Sequence, residues 1–109
     1  VLLSHQPEEK LNDMLARITM IRYTPQTISS VAKLRTELKT IRQQGYALND
    51  QELEMGLRSL AVPLFNPQGH VEAALNVGVH AGQVSAADLL ERVLPELQKA
   101  AAELSLLLR

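Results

Sequence analysis

The chain has 109 residues, 46% hydrophobic and 21% charged, with a formal charge of −1. That composition suits one globular domain or part of one, and argues against disorder and against a basic nucleic-acid surface. With no cysteine, no tryptophan, one phenylalanine and two tyrosines, disulfides, cysteine-ligated zinc and thiol catalysis are excluded, and a stacking platform for bases is disfavoured.

Residues 7–18 are predicted as a short helix, with Pro7 at its first position and Glu8 and Glu9 complementing the positive end of its dipole. Leu11, Met14, Leu15 and Ile18 form its apolar stripe. Tyr23, Thr24 and Pro25 break the pattern. A second helix is predicted over residues 30–44, capped by Ser29 or Ser30 and stopped by Gly45. Val31, Leu34, Leu38 and Ile41 share one face, and Lys33, Arg35, Glu37, Lys39 and Arg42 cover much of the rest as a solvated surface.

Residues 46–54 read as a short strand running into a polar loop. Residues 57–65 and 71–79 read as two strands of a hairpin, joined by a turn of Asn66, Pro67, Gln68 and Gly69. A simple four-residue turn pairs Phe65 with His70, Leu64 with Val71, Leu60 with Leu75 and Ser59 with Asn76. A bulge at Gly69 would slip the register by one and mix the two faces, because side chains alternate with period two. The simple turn is therefore expected. One face then carries Leu60, Val62, Leu64, Val71, Ala73, Leu75 and Val77. The other carries Ser59, Ala61, Pro63, Ala74, Asn76 and Gly78. This second face is small, with a hydroxyl and an amide converging. It suits a ligand pocket, or equally a sheet face open to water.

A long last helix begins at Ser85, with Asp88 three residues on as a capping-box-like start. Leu89, Leu90, Val93, Leu94, Leu97, Ala101, Leu104 and Leu108 give it a broad apolar stripe, expected to cover the bulky sheet face. Pro95 inside it predicts a kink near Glu91, whose carbonyl loses its donor. The terminal LSLLLR is apolar all round. It is either a buried end or a contact with another chain, and the contact is the reading favoured here.

No nucleophile elbow, P-loop or dinucleotide fingerprint occurs. His5, His70 and His80 have no metal-ligand spacing, so no catalytic residue, metal or cofactor is expected. His70 follows a turn glycine and is expected in solvent. His80 ends a strand on the small face, within reach of a ligand. Asp50, Glu52 and Glu54 alternate in an extended segment and are expected to be solvated. Arg58, at the start of an apolar strand, needs a partner if buried, and Glu52 or Glu54 is the expected one, in a structural ion pair. Nothing reads as a signal peptide, and the apolar runs fall far short of the roughly 20 residues a membrane span needs, so the cytoplasm is the expected location.

The stretch GYALNDQELEMGLRSLAVPLFNPQGHVEAALNV resembles the effector-binding domain of the IclR family of bacterial transcription regulators. The family pattern is a small residue, three positions, Asp or Ser, two positions, Glu, six positions, then Cys, Ser or Ala and an apolar residue. Here Gly45, Asn49, Glu52, Ser59 and Leu60 occupy it, and only Asn49 departs. The flanks RYTPQTI and KLRTELKTIRQQGYAL and the C-terminal helix extend the resemblance over essentially the whole chain. GLRSLAVPLFNPQGHVEAALNVGVHAGQVS is most similar to regulators of aromatic-acid and β-ketoadipate catabolism.

The resemblance implies an α+β, GAF-like fold: a curved antiparallel sheet, helices on one face and a small organic acid on the other. Residues 1–109 would be the C-terminal part of the effector domain. The chain begins at Val1 and its first methionine is Met14, so the start of that domain and a DNA-binding winged helix-turn-helix are expected upstream. DNA would be bound only through that upstream domain, and the regulator would be a dimer or tetramer with no membrane partner. Carried over position by position, the family's ligand contacts fall on Asn49, Ser59, Asn76 and Gly78. Asn49, being neutral, tolerates an anion better than the family's acid would, and Gly78 exchanges a hydroxyl for room. A self-association module without a working pocket is the alternative, motivated by LSLLLR.

Overall fold

The computed structural model describes residues 1–108. After a 3-10 turn at Leu3–His5 come α1 (Glu8–Arg17), α2 (Val31–Gln44), β1 (Ala47–Asp50), β2 (Leu57–Phe65), β3 (Val71–His80), a short α3 (Ala86–Asp88), a π-helical turn (Leu89–Val93) and α4 (Leu94–Ser105). The strands form one antiparallel sheet in the order β1-β2-β3, so the fold is α+β.

α1 starts one residue later than expected. Pro7 is extended, and its carbonyl accepts the N–H of Leu11 at 2.9 Å, which makes Pro7 the cap rather than the first helical residue. Of the expected stripe only Leu15 is buried; Met14 and Ile18 are exposed. Leu15 belongs with Leu38 and Ile41 among the buried residues of the helical half of the chain. α2 matches its sequence signals. Ser30 accepts from the Lys33 N–H at 3.2 Å, Gly45 ends the helix in the left-handed region at φ 83°, and Leu38 and Ile41 are buried.

The hairpin register is where expectation and structure part. Gly69 does adopt positive φ, with Asn66 N–H donating to His70 O at 2.8 Å around the loop, so the first slip occurs. A second irregularity follows, between Phe65↔Val71 and Leu64↔Ala73, leaving Glu72 without a partner in the ladder. Two one-residue slips add to two, and a two-residue slip returns the side chains from Ala73 onward to their faces, while Val71, after one slip, stands opposite Phe65 instead of Leu64. Ser59 therefore lies opposite Gly78, not Asn76, and Leu60 opposite Val77, not Leu75.

The faces themselves stand as expected. Leu60, Val62 and Leu64 are buried with Leu94 and Ala101 of α4, and Ala73, Leu75, Val77, Leu90, Val93 and Leu97 pack around them. Pro95 is accommodated without a break. Leu94 N–H reaches back five residues to Leu89 O, widening the helix into the π turn, and Pro95 then sits in the first turn of α4, where its missing N–H costs little. Leu108 packs against the core, while Leu106 and Leu107 are 82% and 75% exposed. Arg109, the end of the apolar segment read from the sequence, lies outside the described residues.

Candidate functional site

The strand register sets a small grid on the face opposite α4. Asn49 pairs with Ser59, and Ser59 with Gly78, giving one row across all three strands. The neighbouring row is Ala47, Ala61 and Asn76; on the other side His80 faces Leu57. Directly opposed residues have Cβ atoms about 5 Å apart and diagonal ones about 7–8 Å. Asn49, Ser59 and Gly78 are therefore brought together, Asn76 stands diagonal to Ser59, and His80 is one row beyond Gly78. Ala74, Asn76, Gly78 and His80 are exposed and Ser59 is half-buried. The face is open. Three cavities of about 260, 230 and 350 Å³ lie elsewhere: at the edge of β2 by Gly45 and Pro63, between the N-terminal turn and α2, and beside Pro67 and Leu106.

Each polar group in the row has a distinct state. The Glu52 N–H donates to Asn49 Oδ1 at 3.2 Å. With its oxygen partly engaged, Asn49 keeps both amide N–H donors free, which is suited to an anion. Ser59 supplies a hydroxyl that can donate or accept. Gly78 is ordinary extended strand: its φ is not positive, and a Cβ there would meet only Leu57 Cδ1 at 3.8 Å. Nothing in the fold requires glycine at this position, although glycine inside a strand is destabilising. What it contributes is clearance above the sheet.

The loop beneath Asn49 is held from a segment whose role the sequence reading missed. The hydroxyl of Thr24 donates to Gln51 O and that of Thr27 to Glu52 O. Thr27 Oγ1 also accepts from the Thr24 N–H at 2.9 Å. Two threonines three residues apart beside Pro25 are the signal, since hydroxyls of this spacing satisfy their own backbone and then reach out. The loop carries Gln51 at φ 60° and Gly56 at φ 88°.

The acidic residues expected in solvent divide. Glu54 is exposed. Burial pushes the Glu52 carboxyl above its ordinary value, partly offset by the backbone N–H groups of Asp50 and Ile28, with Glu37 adding repulsion. Asp50, not Glu52 or Glu54, is the partner of Arg58. Its Oδ1 accepts Arg58 Nε–H at 3.0 Å, and the guanidinium holds the carboxyl below its ordinary value. Asp50 lies directly opposite Arg58 in the β1/β2 register, whereas Glu52 and Glu54 have already turned away into the loop. The Arg58 side chain is 11% exposed, and its Nη1 donates to Val84 O at 2.6 Å and Ala81 O at 3.3 Å. The expected structural ion pair is thus present with a different acid. Among the described residues no group of three His, Cys, Asp or Glu is placed to hold a metal ion, and no helix is long and apolar enough to cross a membrane.

Comparison with known proteins relates the fold to others. The family model for the C-terminal region of the bacterial transcriptional regulator IclR matches residues 1–106. The Pca regulon regulatory protein of Pseudomonas putida is 38% identical over 104 residues, which is 95% of this chain and 36% of that protein. A transcriptional regulator of Rhodococcus sp. RHA1 superposes with a TM-score of 0.94 at 33% identity, over 96% of this chain and 43% of that one. The inducer-binding domain of the PobR transcription factor from Acinetobacter, a double mutant in complex with 3-hydroxybenzoic acid, superposes with a TM-score of 0.91 at 35% identity, over 95% of this chain and 59% of that one. The chain therefore spans between about a third and three fifths of the proteins it matches.

Proposed function

Because the chain belongs to the C-terminal, effector-binding family of IclR-type bacterial transcriptional regulators, we propose that it senses a small aromatic or dicarboxylic acid on the face carrying Asn49, Ser59, Asn76 and Gly78. The single observation that carries this reading is the cross-strand row of Asn49, Ser59 and Gly78. It sets amide donors, a hydroxyl and an unforced glycine side by side on an otherwise small sheet face. The acid's carboxylate would take the Asn49 amide, its body would lie over Gly78, and its ring substituents would meet Ser59, Asn76 and His80. The relative holding 3-hydroxybenzoic acid favours a ring of this size. The remainder of the regulator lies outside this chain in this reading: the rest of the effector domain, which closes the open face over the ligand, and a winged helix-turn-helix. The acid alters DNA affinity insofar as it binds two arrangements of the domain unequally.

Leu104, Leu106 and Leu107, exposed together at the end of α4, favour a second reading, a module for self-association. Thermal unfolding with 3-hydroxybenzoate, protocatechuate, 4-hydroxybenzoate, β-ketoadipate and pyruvate separates the two. An acid at about 100 times its Kd stabilises the native state by about 2.7 kcal/mol. A rise in Tm that disappears in Ser59→Ala or Asn76→Ala supports the sensor. A Tm that depends on protein concentration and ignores every acid, in this chain and in the whole regulator, supports association instead.

A further inference from the structure

Asp50 and Arg58 occupy the register position next to Asn49 and Ser59, on the opposite face of the same two strands. We infer that this ion pair is the strut through which occupancy of the small face is passed to the C-terminal helix, an inference that rests on the effector reading above. β1 contributes only four residues to the sheet, and its last two pairs are Asn49 with Ser59 and Asp50 with Arg58. A ligand drawing Asn49 toward Ser59 must move Asp50 with it, since adjacent residues of a strand share a rigid backbone.

Arg58 passes the movement on because its donors are fixed in one plane. Nε is bound to Asp50, while Nη1 holds the carbonyls of Ala81 and Val84. Among the described residues the loop between β3 and α3 also has the N–H groups of Gln83 and Val84 donating to His80 O, and that of Ala81 donating to Gly56 O at the end of the β1–β2 loop. It runs directly into Ser85, whose hydroxyl caps Asp88 N–H at 3.0 Å, and then into the π turn at Leu89–Val93. Leu89 is fully buried.

In this proposal the π turn is the element that responds. Pro95 cannot donate to Glu91 O, so the helix either widens as seen or kinks at that carbonyl. A small displacement of residues 81–84 biases that choice and swings α4, the helix that covers the core. Arg58 touches no part of the small face, so it is a positioning residue for the response and not a contact for the acid.

The test is amide hydrogen exchange of this chain, alone and within the whole regulator, with and without 3-hydroxybenzoate, paired with calorimetric affinities. At about 100 times the Kd, exchange through every coupled segment slows by up to about 100-fold. The wild-type chain is expected to slow both in residues 47–61 and in residues 81–94. Arg58→Lys keeps the charge and loses the planar fork; Asp50→Asn keeps the shape and loses the charge. Both are expected to bind the acid within about threefold of wild type, as for residues remote from the ligand. Both should slow in residues 47–61 while losing the response in residues 81–94. A residue that merely supports the fold would leave the two segments responding together whatever its effect on Tm, and that result overturns the strut. A wild-type response confined to residues 47–61 overturns it too, while leaving the effector reading intact. No response and no heat of binding in wild type with any of the acids named above, in this chain and in the whole regulator, removes both.

Discussion

An aspartate in place of Asn49 tests how the small face handles charge. In the structure the Asn49 oxygen is already used by the Glu52 N–H at 3.2 Å, so what an anionic ligand meets is the NH₂ group. Asn49→Asp leaves that local bond available to one carboxylate oxygen and replaces the donor by a second oxygen bearing charge. Two unit charges about 4 Å apart repel by about 1 kcal/mol in water and about 4 kcal/mol near a protein surface of effective dielectric 20. Asn49 is exposed, which favours the lower figure. Loss of one hydrogen bond adds about 1 kcal/mol. The sum, about 2 kcal/mol, corresponds to a Kd raised about 30-fold. Isothermal titration with 3-hydroxybenzoate at pH 7 measures it, and titration at pH 4 should recover much of the loss as the introduced carboxyl takes a proton. An unchanged or tighter Kd at pH 7 would refute the placement of the carboxylate at Asn49. A loss that persists equally at low pH would show that shape, and not charge, governs the position.

Gly78→Ala should raise Tm, since alanine in an element interior is favoured over glycine by about 0.5–1 kcal/mol and its Cβ meets only Leu57 at 3.8 Å, while weakening the binding of ring-containing acids. Leu60 is 0% exposed and Leu106 82% exposed, so Leu60→Ala should cost about 3–5 kcal/mol and Leu106→Ala less than about 0.5 kcal/mol. With an unfolding entropy of about 2.1 cal/mol/K per residue over 109 residues, the first lowers Tm by at least about 13 °C. Asp50 has a folded-state pKa below its ordinary 3.8, so its contribution to stability is complete above that value and is lost as pH falls through the lower folded value. Asp50→Asn should therefore lower Tm at pH 7 and make little difference in strong acid. Glu52 has the opposite sign: its folded pKa lies above the ordinary 4.5, so its contribution is complete below 4.5 and lost as pH rises through the folded value. Glu52→Gln should raise Tm at pH 7 and leave it unchanged near pH 3, which melting curves across pH will read.

What could be read from the sequence was whatever periodicity and local chemistry decide. α2 is the clearest case, because Ser30, the spacing of Leu34, Leu38 and Ile41, and Gly45 each act within one helical turn. The membership of the two sheet faces was equally legible, because only alternation matters for it. The hairpin register was not, because it depends on a count of bulges, and Glu72, which stands outside the ladder, is chemically an unremarked strand residue. The partner of Arg58 was missed for a related reason. Which acid of Asp50, Glu52 and Glu54 faces it is set by where β1 ends, and that is set by Gln51 at positive φ and by the hydroxyls of Thr24 and Thr27 gripping the loop from 25 or more residues away. The Glu91 carbonyl was correctly identified as the weak point below Pro95, but a π turn and a kink both answer that loss, and packing chooses between them.

The register correction also changes what the small face can recognise. Had Ser59 stood opposite Asn76, the row would have been Asn49, Ser59 and Asn76, polar from end to end with no open space at the far strand. With Ser59 between Asn49 and Gly78, the row is a line two strand spacings long, about 9.5 Å. The donor stands at one end, a hydroxyl in the middle and open space at the other. A line of that length fits a carboxylate attached to one ring or to a short chain better than it fits a compact keto acid such as pyruvate. In the proposed reading Ser59 would distinguish acids by substituents at mid-length, and Asn76 and His80, flanking Gly78 along β3, would read the far end. On this geometry Ser59→Ala should narrow the difference in affinity between 3-hydroxybenzoate and unsubstituted benzoate, whereas Asn76→Ala should act on acids long enough to pass Gly78. Equal losses for every acid in both variants would mean that the row supports the fold of the face without reading the ligand.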